Sequence, residues 1–396
     1  MDVRIGDCIE CNPTVKLVKG NEYPLIDIDK ITVGRKLVTN KDTIVYEKQG
    51  GCKFQNGDTL MARITPCLEN GKMAMASIPD KGIGSTELFV FRGKKGITDN
   101  DFVYYFLKQS YIRNLAANSM TGASGRQRAD LKFIKKIKFN LPSLPTQQKI
   151  SSILSSYDRL IENNTRRIRL LEQMAENLYK EWFVRFRFPE HEKVEIVNGL
   201  PKGWERTKLI KNIKTSSGGT PSRNKGEYYK NGTIPWIKTG ELQDCILINT
   251  EECITEDAVN NSSAKLFPKG TLLMAMYGVN VGKLGISEIE ATCNQACCVF
   301  TPKQIDYKYY LFHYLKSIRE YLLSISFGAA QQNLSQELIK SIRVLFPDEK
   351  TNISFVKEVE PLFKEISIIQ QQNQLLTRQR DLLLPRLMSG KLEVKS

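Results

Sequence analysis

The chain has 396 residues, and its 41% hydrophobic content is enough for two folded domains, which excludes a wholly disordered protein. No apolar run of about 18 residues occurs, so we expect no membrane span. No secretory-signal stretch occurs, so we expect no secretion. With two histidines, we expect no multi-histidine metal site. The 58 Lys and Arg against 43 Asp and Glu give a net charge of +15, which favours nucleic acid as a partner, although a merely basic protein would have the same balance.

An internal repeat organises the chain. Ile134-Lys-Lys-Ile-Lys-Phe-Asn-Leu-Pro142 resembles Ile339-Lys-Ser-Ile-Arg-Val-Leu-Phe-Pro347 at an offset of 205 residues, and Gly57-Asp-Thr-Leu-Met-Ala62 resembles Gly270-Thr-Leu-Leu-Met-Ala275. Such self-similarity is typical of duplicated domains. We therefore predict four segments in the order globular unit, helix, globular unit, helix, at residues 1–143, 144–188, 198–347 and 350–390.

Each globular unit is predicted to be a mixed α/β domain. Short alternating segments, bounded by turn signals such as Asn56-Gly57 and Asn231-Gly232, predict strands. Helical spacing of apolar and aromatic residues predicts a helix in each unit, at 102–115 and 307–323. The predicted strands lie at 59–64, 88–91, 271–276 and 297–301.

The two intervening segments are predicted to be long helices. Residues 146–183 contain no Gly or Pro, and their apolar residues recur with a heptad-like spacing. The apolar residues of the second segment recur in the same way. In that segment Pro361 predicts a first turn or a kink. Each apolar stripe, here called the seam, is too narrow to form a core alone, so we predict an intramolecular antiparallel pair with an Asn on each seam. The predicted seam residues are Leu160, Asn164, Leu171, Leu178, Ile366, Asn373, Leu376 and Leu383.

The sequence contains no persuasive catalytic constellation. It has no Gly-rich phosphate loop ending in Gly-Lys-Ser/Thr and no Asn/Asp-Pro-Pro-aromatic tetrapeptide typical of amino-methyltransferases. Cys8-x-x-Cys11 has no second pair at a zinc-binding spacing, and the nine scattered cysteines favour reduced thiols in a cytoplasm. Pro347-Asp-Glu-Lys350 lacks a partner carboxylate, so a turn is favoured over a nuclease site. We predict no catalytic residue, cofactor or metal.

Basic and amide-rich loops are the candidate binding elements. The segment Ser216–Lys230 combines Gly, Ser and Thr with Arg, Lys and Tyr, which suits phosphate contacts, although a plain surface loop has the same composition. Gly122-Ala-Ser-Gly-Arg-Gln-Arg128 matches Phe327-Gly-Ala-Ala-Gln-Gln-Asn333 through the repeat, and Arg, Gln and Asn suit base edges, while Asp130 or Asn333 can instead cap a helix. The predicted DNA contacts are Arg63, Arg126, Gln127, Arg128, Arg223, Lys225, Tyr228, Lys230, Lys238, Gln331, Gln332 and Asn333.

With these features the chain resembles the specificity subunits of type I restriction–modification enzymes. The resemblance covers essentially the whole chain and rests on four motifs. They are Ser217-Gly-Gly-Thr-Pro-Ser222, Ile234-Pro-Trp-Ile237, Leu171-Glu-Gln-Met-Ala-Glu-Asn-Leu-Tyr-Lys-Glu-Trp-Phe183 and Leu382-Leu-Leu-Pro-Arg-Leu-Met-Ser-Gly-Lys-Leu392. The first unit departs from the pattern, because residues 15–21 stand where the Gly-Gly-Thr-Pro loop is expected.

The resemblance implies a non-catalytic α+β protein with two pseudo-symmetric target recognition domains separated by the two paired helices. Each domain would recognise one half of an asymmetric double-stranded DNA site. The helices would space the domains and dock two methyltransferase subunits, through which restriction subunits join. A stand-alone DNA methyltransferase or nuclease is the alternative, and a protein-binding scaffold is a third hypothesis that the basic loops disfavour.

Overall fold

The computed structural model describes residues 2–122, 126–326 and 333–394, which form two compact units. Unit 1 comprises Met1–Asn164 and Asn373–Ser396, and unit 2 comprises Thr165–Gln372. Both dividing points fall inside long helices. Each unit therefore contains one globular part and a section of each long helix.

Unit 1 is rich in short strands, as its turn signals predict. Its strands are β1 Asp2–Arg4, β2 Ile9–Cys11, β3 Glu22–Ile26, β4 Leu37–Val38, β5 Thr43–Val45, β6 Cys52–Gln55, β7 Thr59–Ala62, β8 Met73–Ala76, β9 Lys81–Gly84, β10 Leu88–Gly93 and β11 Lys138–Asn140. Its helices are α1 Ile5–Cys8, α2 Asn100–Lys108, α3 Ser110–Asn118, α4 Leu131–Lys136 and the first part of α5 Leu144–Tyr179.

Unit 2 repeats this order of elements. Its strands are β12 Ile196–Val197, β13 Leu200–Pro201, β14 Glu205–Lys208, β15 Ile213–Ser217, β16 Ile234–Ile237, β17 Cys245–Leu247, β18 Cys253–Ile254, β19 Leu272–Ala275, β20 Leu284–Ser287, β21 Thr292–Cys293, β22 Cys297–Pro302 and β23 Arg343–Phe346. Its helices are α6 Leu209–Asn212, α7 Glu256–Asn260, α8 Lys308–Ser317, α9 Arg319–Ser326, α10 Gln336–Ser341 and the first part of α11 Glu349–Met388.

The sheet topologies of the two units confirm the pseudo-symmetry. A five-stranded sheet has the order β2-β10-β7-β8-β4 in unit 1 and β15-β22-β19-β20-β17 in unit 2, and each ends in a parallel edge pair. A second sheet has the order β5-β3-β9-β6 in unit 1 and β18-β16-β21 in unit 2. The central strands β7 and β19 are fully buried, because helices cover one face of the sheet and the smaller sheet lies against the other.

The helix predicted in each globular unit is in fact two helices. The chain leaves helical geometry at Gln109, whose ψ of 136° is extended, and at Ile318, so that α2 and α8 are each followed by a second short helix. The prediction of a single helix was wrong because neither break is marked by Gly or Pro. The break occurs at corresponding places in the two units, as expected for a duplicated fold.

The two long helices are antiparallel within each unit. In unit 1, Asp158 contacts Arg380 and Asn164 contacts Asn373, so residue numbers rise along α5 as they fall along α11. In unit 2, Arg167 pairs with Glu365 at 2.8 Å. Helix α5 gives way at Tyr179 to a π-helical turn, Lys180–Val184. Pro361 lies in the interior of α11, which rules out the first turn and leaves the kink as the predicted role of this proline.

The seam follows the predicted residues with one exception. Leu171 and Leu178 pack against the core of unit 2 with Ile366, and Leu383 packs against the core of unit 1, while Leu376 is half-buried. Leu160 departs from the seam, because its side chain is 52% exposed. Asp158 occupies the seam instead, and a residue two positions further along a helix points to the opposite side. Within the described residues, no helix is long and apolar enough to cross a bilayer.

Candidate nucleic-acid interface

Among the described residues, some of the predicted contacts lie at the same end of the five-stranded sheet in both units. In unit 1, Ala62 at the end of β7 pairs with Leu88 at the start of β10, so the loops that carry Arg63 and Glu87 emerge together. In unit 2, Ala275 at the end of β19 pairs with Cys297 at the start of β22, and β15 ends beside them. This end of each sheet is called the loop end below.

Two backbone hydrogen bonds attach the arginine loop of unit 1 to the loop end. The Ala129 N–H donates to the Arg63 carbonyl (2.8 Å), and the Thr65 N–H donates to the Gln127 carbonyl (3.0 Å). These bonds bring three predicted contacts, Arg63, Gln127 and Arg128, into one place. The Arg63 guanidinium lies over the Phe89 ring at 4.9 Å, and its Nε is buried.

Arg128 is held by a carboxylate that sequence analysis did not identify. Its Nη2 donates to Glu87 Oε1 at 2.6 Å and its Nε donates to Glu87 Oε2 at 2.9 Å, a two-point geometry typical of strong charge-assisted pairs. The hydrogen bond from Arg128 lowers the pKa of Glu87. The pair fixes the Arg128 side chain, 44% of which remains exposed, at the loop end. No local motif marks Glu87, because its partner is 41 residues away.

Arg126 lies in the loop that Arg128 closes. The Thr121 and Arg128 backbones exchange two hydrogen bonds (3.1 and 3.0 Å), and Gly122 adopts a positive φ of 123° that few other residues tolerate. Arg126 is exposed and Gln127 is half-buried. Residues 123–125 of the predicted motif lie outside the described residues. The closed loop presents the Arg126 side chain to solvent.

Corresponding backbone bonds establish which residues of the two units are equivalent. In unit 2 the Leu334 N–H donates to the Met276 carbonyl (2.9 Å), as Ala129 does to Arg63 in unit 1. Asn333 therefore occupies the place of Arg128, in agreement with the offset of 205 residues inferred from sequence. Asn333 is exposed, whereas Gln331 and Gln332 lie outside the described residues.

The alternative role in helix capping is correct for one copy and wrong for the other. Asp130 caps α4, since its carboxylate accepts from the Lys132 N–H at 2.8 Å. In unit 2 the cap of α10 is Ser335, whose Oγ accepts from the Leu338 N–H at 3.1 Å, and not Asn333. Ser is as good a cap as Asn and lies directly before the helix, which leaves Asn333 outside this role.

The Gly-Gly-Thr-Pro loop of unit 2 has a packing role that the sequence did not predict. Gly218 and Gly219 are buried, and a Cβ on them would lie 1.9 Å from the Cys293 carbonyl oxygen and 2.3 Å from the Ser263 carbonyl carbon. The close backbone approach that these glycines allow is therefore to the protein itself. Thr220, next in the loop, is exposed and hydrogen-bonds to Gln295.

Arg223 and Lys238 share one carboxylate. Arg223 Nη1 lies 2.8 Å from Glu252 Oε2, and Lys238 Nζ lies 3.1 Å from Glu252 Oε1 and 2.9 Å from Glu251 Oε2. The hydrogen bonds from Arg223 and then Lys238 lower the pKa of Glu252. The Arg223 guanidinium also stacks 4.2 Å from the Tyr229 ring and 5.0 Å from the Trp236 ring. This arrangement orders an exposed guanidinium on an aromatic platform.

The remaining predicted contacts of unit 2 lie on the 3-10 turn Gly226–Tyr228 and beside it. Lys225 is exposed, and its Nζ lies 4.8 Å from the Tyr228 ring centroid and 2.9 Å from the Tyr228 hydroxyl. Tyr228 itself is 3% exposed, so it supports Lys225 as part of the core. Lys230 is exposed. Lys225 and Lys230 thus present charge to solvent, whereas Tyr228 does not present its ring.

The Asp348 carboxylate, considered for nuclease chemistry, has a structural role. Among residues 2–122, 126–326 and 333–394, no group of three or more His, Cys, Asp or Glu side chains could hold a metal ion. The Asp348 carboxylate accepts from the Thr351 N–H at 3.0 Å and from Trp204 Nε1 at 3.0 Å, so it caps the start of α11. A turn was predicted over Pro347–Lys350, whereas the structure begins α11 at Glu349, so the segment is the start of a helix.

The family model for the type I restriction modification DNA specificity domain matches residues 1–173 and 201–378, one copy in each half of the chain. The chain belongs to this family. Membership gives it the broad function of a type I specificity subunit, DNA target recognition.

Relatives in the family share about a quarter of their residues with this specificity subunit. The MjaIX specificity subunit of Methanocaldococcus jannaschii is 27% identical over 310 residues, which cover 76% of this chain and 71% of the relative. The HindI specificity subunit of Haemophilus influenzae is 25% identical over 406 residues, with 86% and 87% covered. The crystal structure of the type I S subunit from M. genitalium has the same fold, with a TM-score of 0.60, 15% identity, and coverage of 100% of this chain and 96% of that one.

Proposed function

We propose that this chain is the non-catalytic subunit that selects the DNA site of a type I restriction–modification complex. Each unit recognises one half of an asymmetric bipartite double-stranded site. The observation that carries the proposal is the paired family match, because two copies of a DNA specificity domain in one chain provide two recognition surfaces. The equivalent loop ends, which carry Arg126 to Arg128 in one unit and Asn333 in the other, support it.

The side chains at the loop ends divide into two classes of DNA contact. Arg126 and Asn333 are exposed and Gln127 is half-buried on equivalent loops, and all three carry groups that pair with guanine or adenine edges. Arg223, Lys225, Lys230 and Lys238 are cations on the surface of unit 2, and they contact phosphates. Arg223 and Lys238 exchange Glu252 for phosphate when DNA binds. Their contribution to affinity is therefore smaller than that of Lys225, whose partner is the neutral Tyr228 hydroxyl and not a carboxylate.

The long helices dock two methyltransferase subunits, through which restriction subunits join the complex. Both helices carry large apolar side chains that are more than half exposed, and such side chains are typical of protein interfaces when they recur on one element. They are Leu160, Leu170 and Met174 on α5 and Leu375 and Leu382 on α11. The relatives are named specificity subunits of type I restriction enzymes, which supports assembly with other subunits. The helices also set the unread spacer between the half-sites.

The proposal is tested with the full chain and its methyltransferase subunits, purified separately and together. We expect labelled methyl groups to be transferred to DNA only when both components are present. The chain alone should neither methylate DNA nor cut it in the presence of magnesium. Methyl transfer or cleavage by the pure chain would instead support a stand-alone methyltransferase or nuclease and would overturn the proposal.

A further inference from the structure

The turn between β19 and β20 exposes an apolar tip at the loop end of unit 2. The Val279 side chain is 99% exposed and that of Tyr277 is 39% exposed, whereas the flanking Met276 and Val281 are buried. An apolar side chain wholly in water gains nothing from its position in the free protein. Single exposed apolar side chains are common on protein surfaces, so the position of this one matters more than its exposure.

The turn is held firmly beneath this tip. The Ala275 N–H donates to the Lys283 carbonyl and the Gly282 N–H donates to the Ala275 carbonyl, each at 2.8 Å, and the Val281 N–H donates to the Gly278 carbonyl at 3.1 Å. The buried Asn280 side chain donates to the carbonyls of Thr239 (3.0 Å) and Gly240 (3.1 Å). Val279 is thus presented by an anchored turn, so little conformational freedom is lost when a ligand covers it.

The tip lies among the proposed DNA contacts of unit 2. Met276, three residues before Val279, accepts the backbone bond from Leu334 that positions Asn333, and Asn280 is bonded to the residues that follow Lys238. In the equivalent turn of unit 1, Ile64 stands at the place of Tyr277, where it pairs with Arg128 and is half-buried. Counted from the end of β7, the place of Val279 is taken by Pro66, which is exposed. The two turns therefore present different side chains to a ligand.

We propose that Val279 is a base-recognition residue of unit 2 that packs against the 5-methyl group of a thymine in the major groove, an inference that rests on the proposed function. The major groove, about 12 Å wide, admits a two-stranded β-ribbon such as β19 and β20 with their turn, and it carries the thymine methyl that the minor groove of about 6 Å lacks. The thymine methyl is the apolar group that the major groove offers. The half-site read by unit 2 therefore contains at least one A·T pair.

The test uses the full chain with its methyltransferase subunits and a duplex carrying the bipartite motif that methylome mapping of the host identifies. Each thymine of the motif is replaced in turn by deoxyuridine, which removes the methyl group alone. At one position of the unit 2 half-site, we expect the replacement to weaken binding by about four-fold, since burying one methyl-sized group contributes about 0.8 kcal/mol. Val279→Ala should weaken binding to the thymine duplex and abolish the difference between thymine and deoxyuridine.

The control is Val184→Ala, which removes an equally apolar side chain, 60% exposed, from the π-helical turn of the same unit. It should leave the thymine preference intact. Four results would overturn the inference. The Val279→Ala variant could bind like the wild type, keep the thymine preference, or differ only in a weaker assembly with methyltransferase subunits. The fourth such result is a unit 2 half-site without thymine. All four leave the proposed function standing, whereas failure of the wild-type complex to bind the motif would overturn the proposed function itself.

Discussion

Asn164 and Asn373 meet across the helix pair of unit 1, where Asn164 Nδ2 donates a hydrogen bond of 3.0 Å to Asn373 Oδ1. Asn164 is 8% exposed, so its amide depends on this partner. The sequence places an Asn on each seam, and the structure pairs the two. A polar pair on an apolar seam favours one register of the helices, since any shift would bury both amides without partners.

Breaking this pair should destabilise unit 1, whereas replacing both partners should not. We expect Asn164→Leu to lower the free energy of unfolding by about 1 kcal/mol, because Asn373 then loses its hydrogen bond in a half-buried place. The double variant Asn164→Leu/Asn373→Leu should recover that loss or exceed the wild-type stability. Urea unfolding of the full chain measures both values. Asn163→Leu, a change at the exposed neighbouring residue, is the control, and additive effects of the two seam changes would contradict the pairing.

The repeat and the long helices could be predicted from the sequence because they depend on patterns spread over many residues. The prediction that Leu160 lies on the seam was wrong because Asp158, a charged residue, occupies the buried position on that face of α5. It does so only through Arg380, which lies 222 residues away. Local spacing cannot anticipate such a partner. The breaks at Gln109 and Ile318 were missed for a related reason, since packing rather than Gly or Pro ends those helices.

The sequence predicted the basic loops of the candidate site but not the carboxylates that pair with their arginines. The basic loops around Arg126 and Arg223 could be found because they are local in sequence. Glu87 and Glu252, which hold Arg128 and Arg223, lie on other strands and have no distinguishing neighbours. Gly218 and Gly219 resemble a ligand-binding loop in sequence, and their contact with Cys293 and Ser263 is apparent only in three dimensions.

Arg126 and Lys225 should affect DNA binding in different ways. We expect Arg126→Ala to weaken binding to the specific site by about 1–3 kcal/mol, because a base contact is lost, with little effect on random DNA. Lys225→Ala should weaken binding to all sequences and lower the salt dependence by about one phosphate contact. Fluorescence anisotropy on specific and random duplexes over a range of salt concentrations measures both. Equal losses on the two duplexes for Arg126→Ala would make it a backbone contact.

Lys108 should reduce the stability of unit 1 below pH 8. Burial lowers the pKa of its amine to about 8 from an ordinary 10.5, with Arg380 and Lys36 adding to the shift and Asp158 and Asp381 opposing it. Between these two pH values the unfolded chain binds more protons than the folded one, so this group makes stability rise with pH across that window. We expect Lys108→Met to be more stable than the wild type at pH 7, by up to about 3 kcal/mol.

That gain should shrink as the pH rises from about 8 to 10.5, because the wild-type amine becomes neutral in both states. Chemical unfolding of both proteins at pH 7 and at the upper end of this window measures the change. Lys132→Met, at an exposed position of α4, serves as the control for loss of a lysine. A gain that does not vary with pH would show that packing, and not ionisation, separates the two proteins.

The length of α5 should set the unread spacer. Its 36 residues span about 54 Å at 1.5 Å per residue. Four residues inserted after Gln173 add about 6 Å, which corresponds to one or two base pairs at about 3.4 Å per step. We expect the modified site to keep both half-sites and to gain one or two spacer pairs, with some loss of stability because the insertion shifts the seam.

An insertion of the same length after Gly96 is the matched control, since it lengthens an open surface turn and leaves the helix unchanged. It should leave the spacer as it was. Sequencing of methylated DNA from cells that co-express each variant with the methyltransferase subunits gives the spacer. Modification of the original spacing at full rate by a soluble α5 variant would contradict the role of the helix.

Methylome mapping of the host tests the central claim most directly. Three strains are compared: one with this gene intact, one with it deleted, and one in which residues 198–347 are exchanged for those of a relative. The two equivalent loop ends predict that deletion abolishes methylation at one bipartite motif. They also predict that the exchange alters one half of that motif and preserves the other. An unchanged methylome after deletion would contradict the function, and a change in both half-sites after the exchange would contradict independent recognition by the two units.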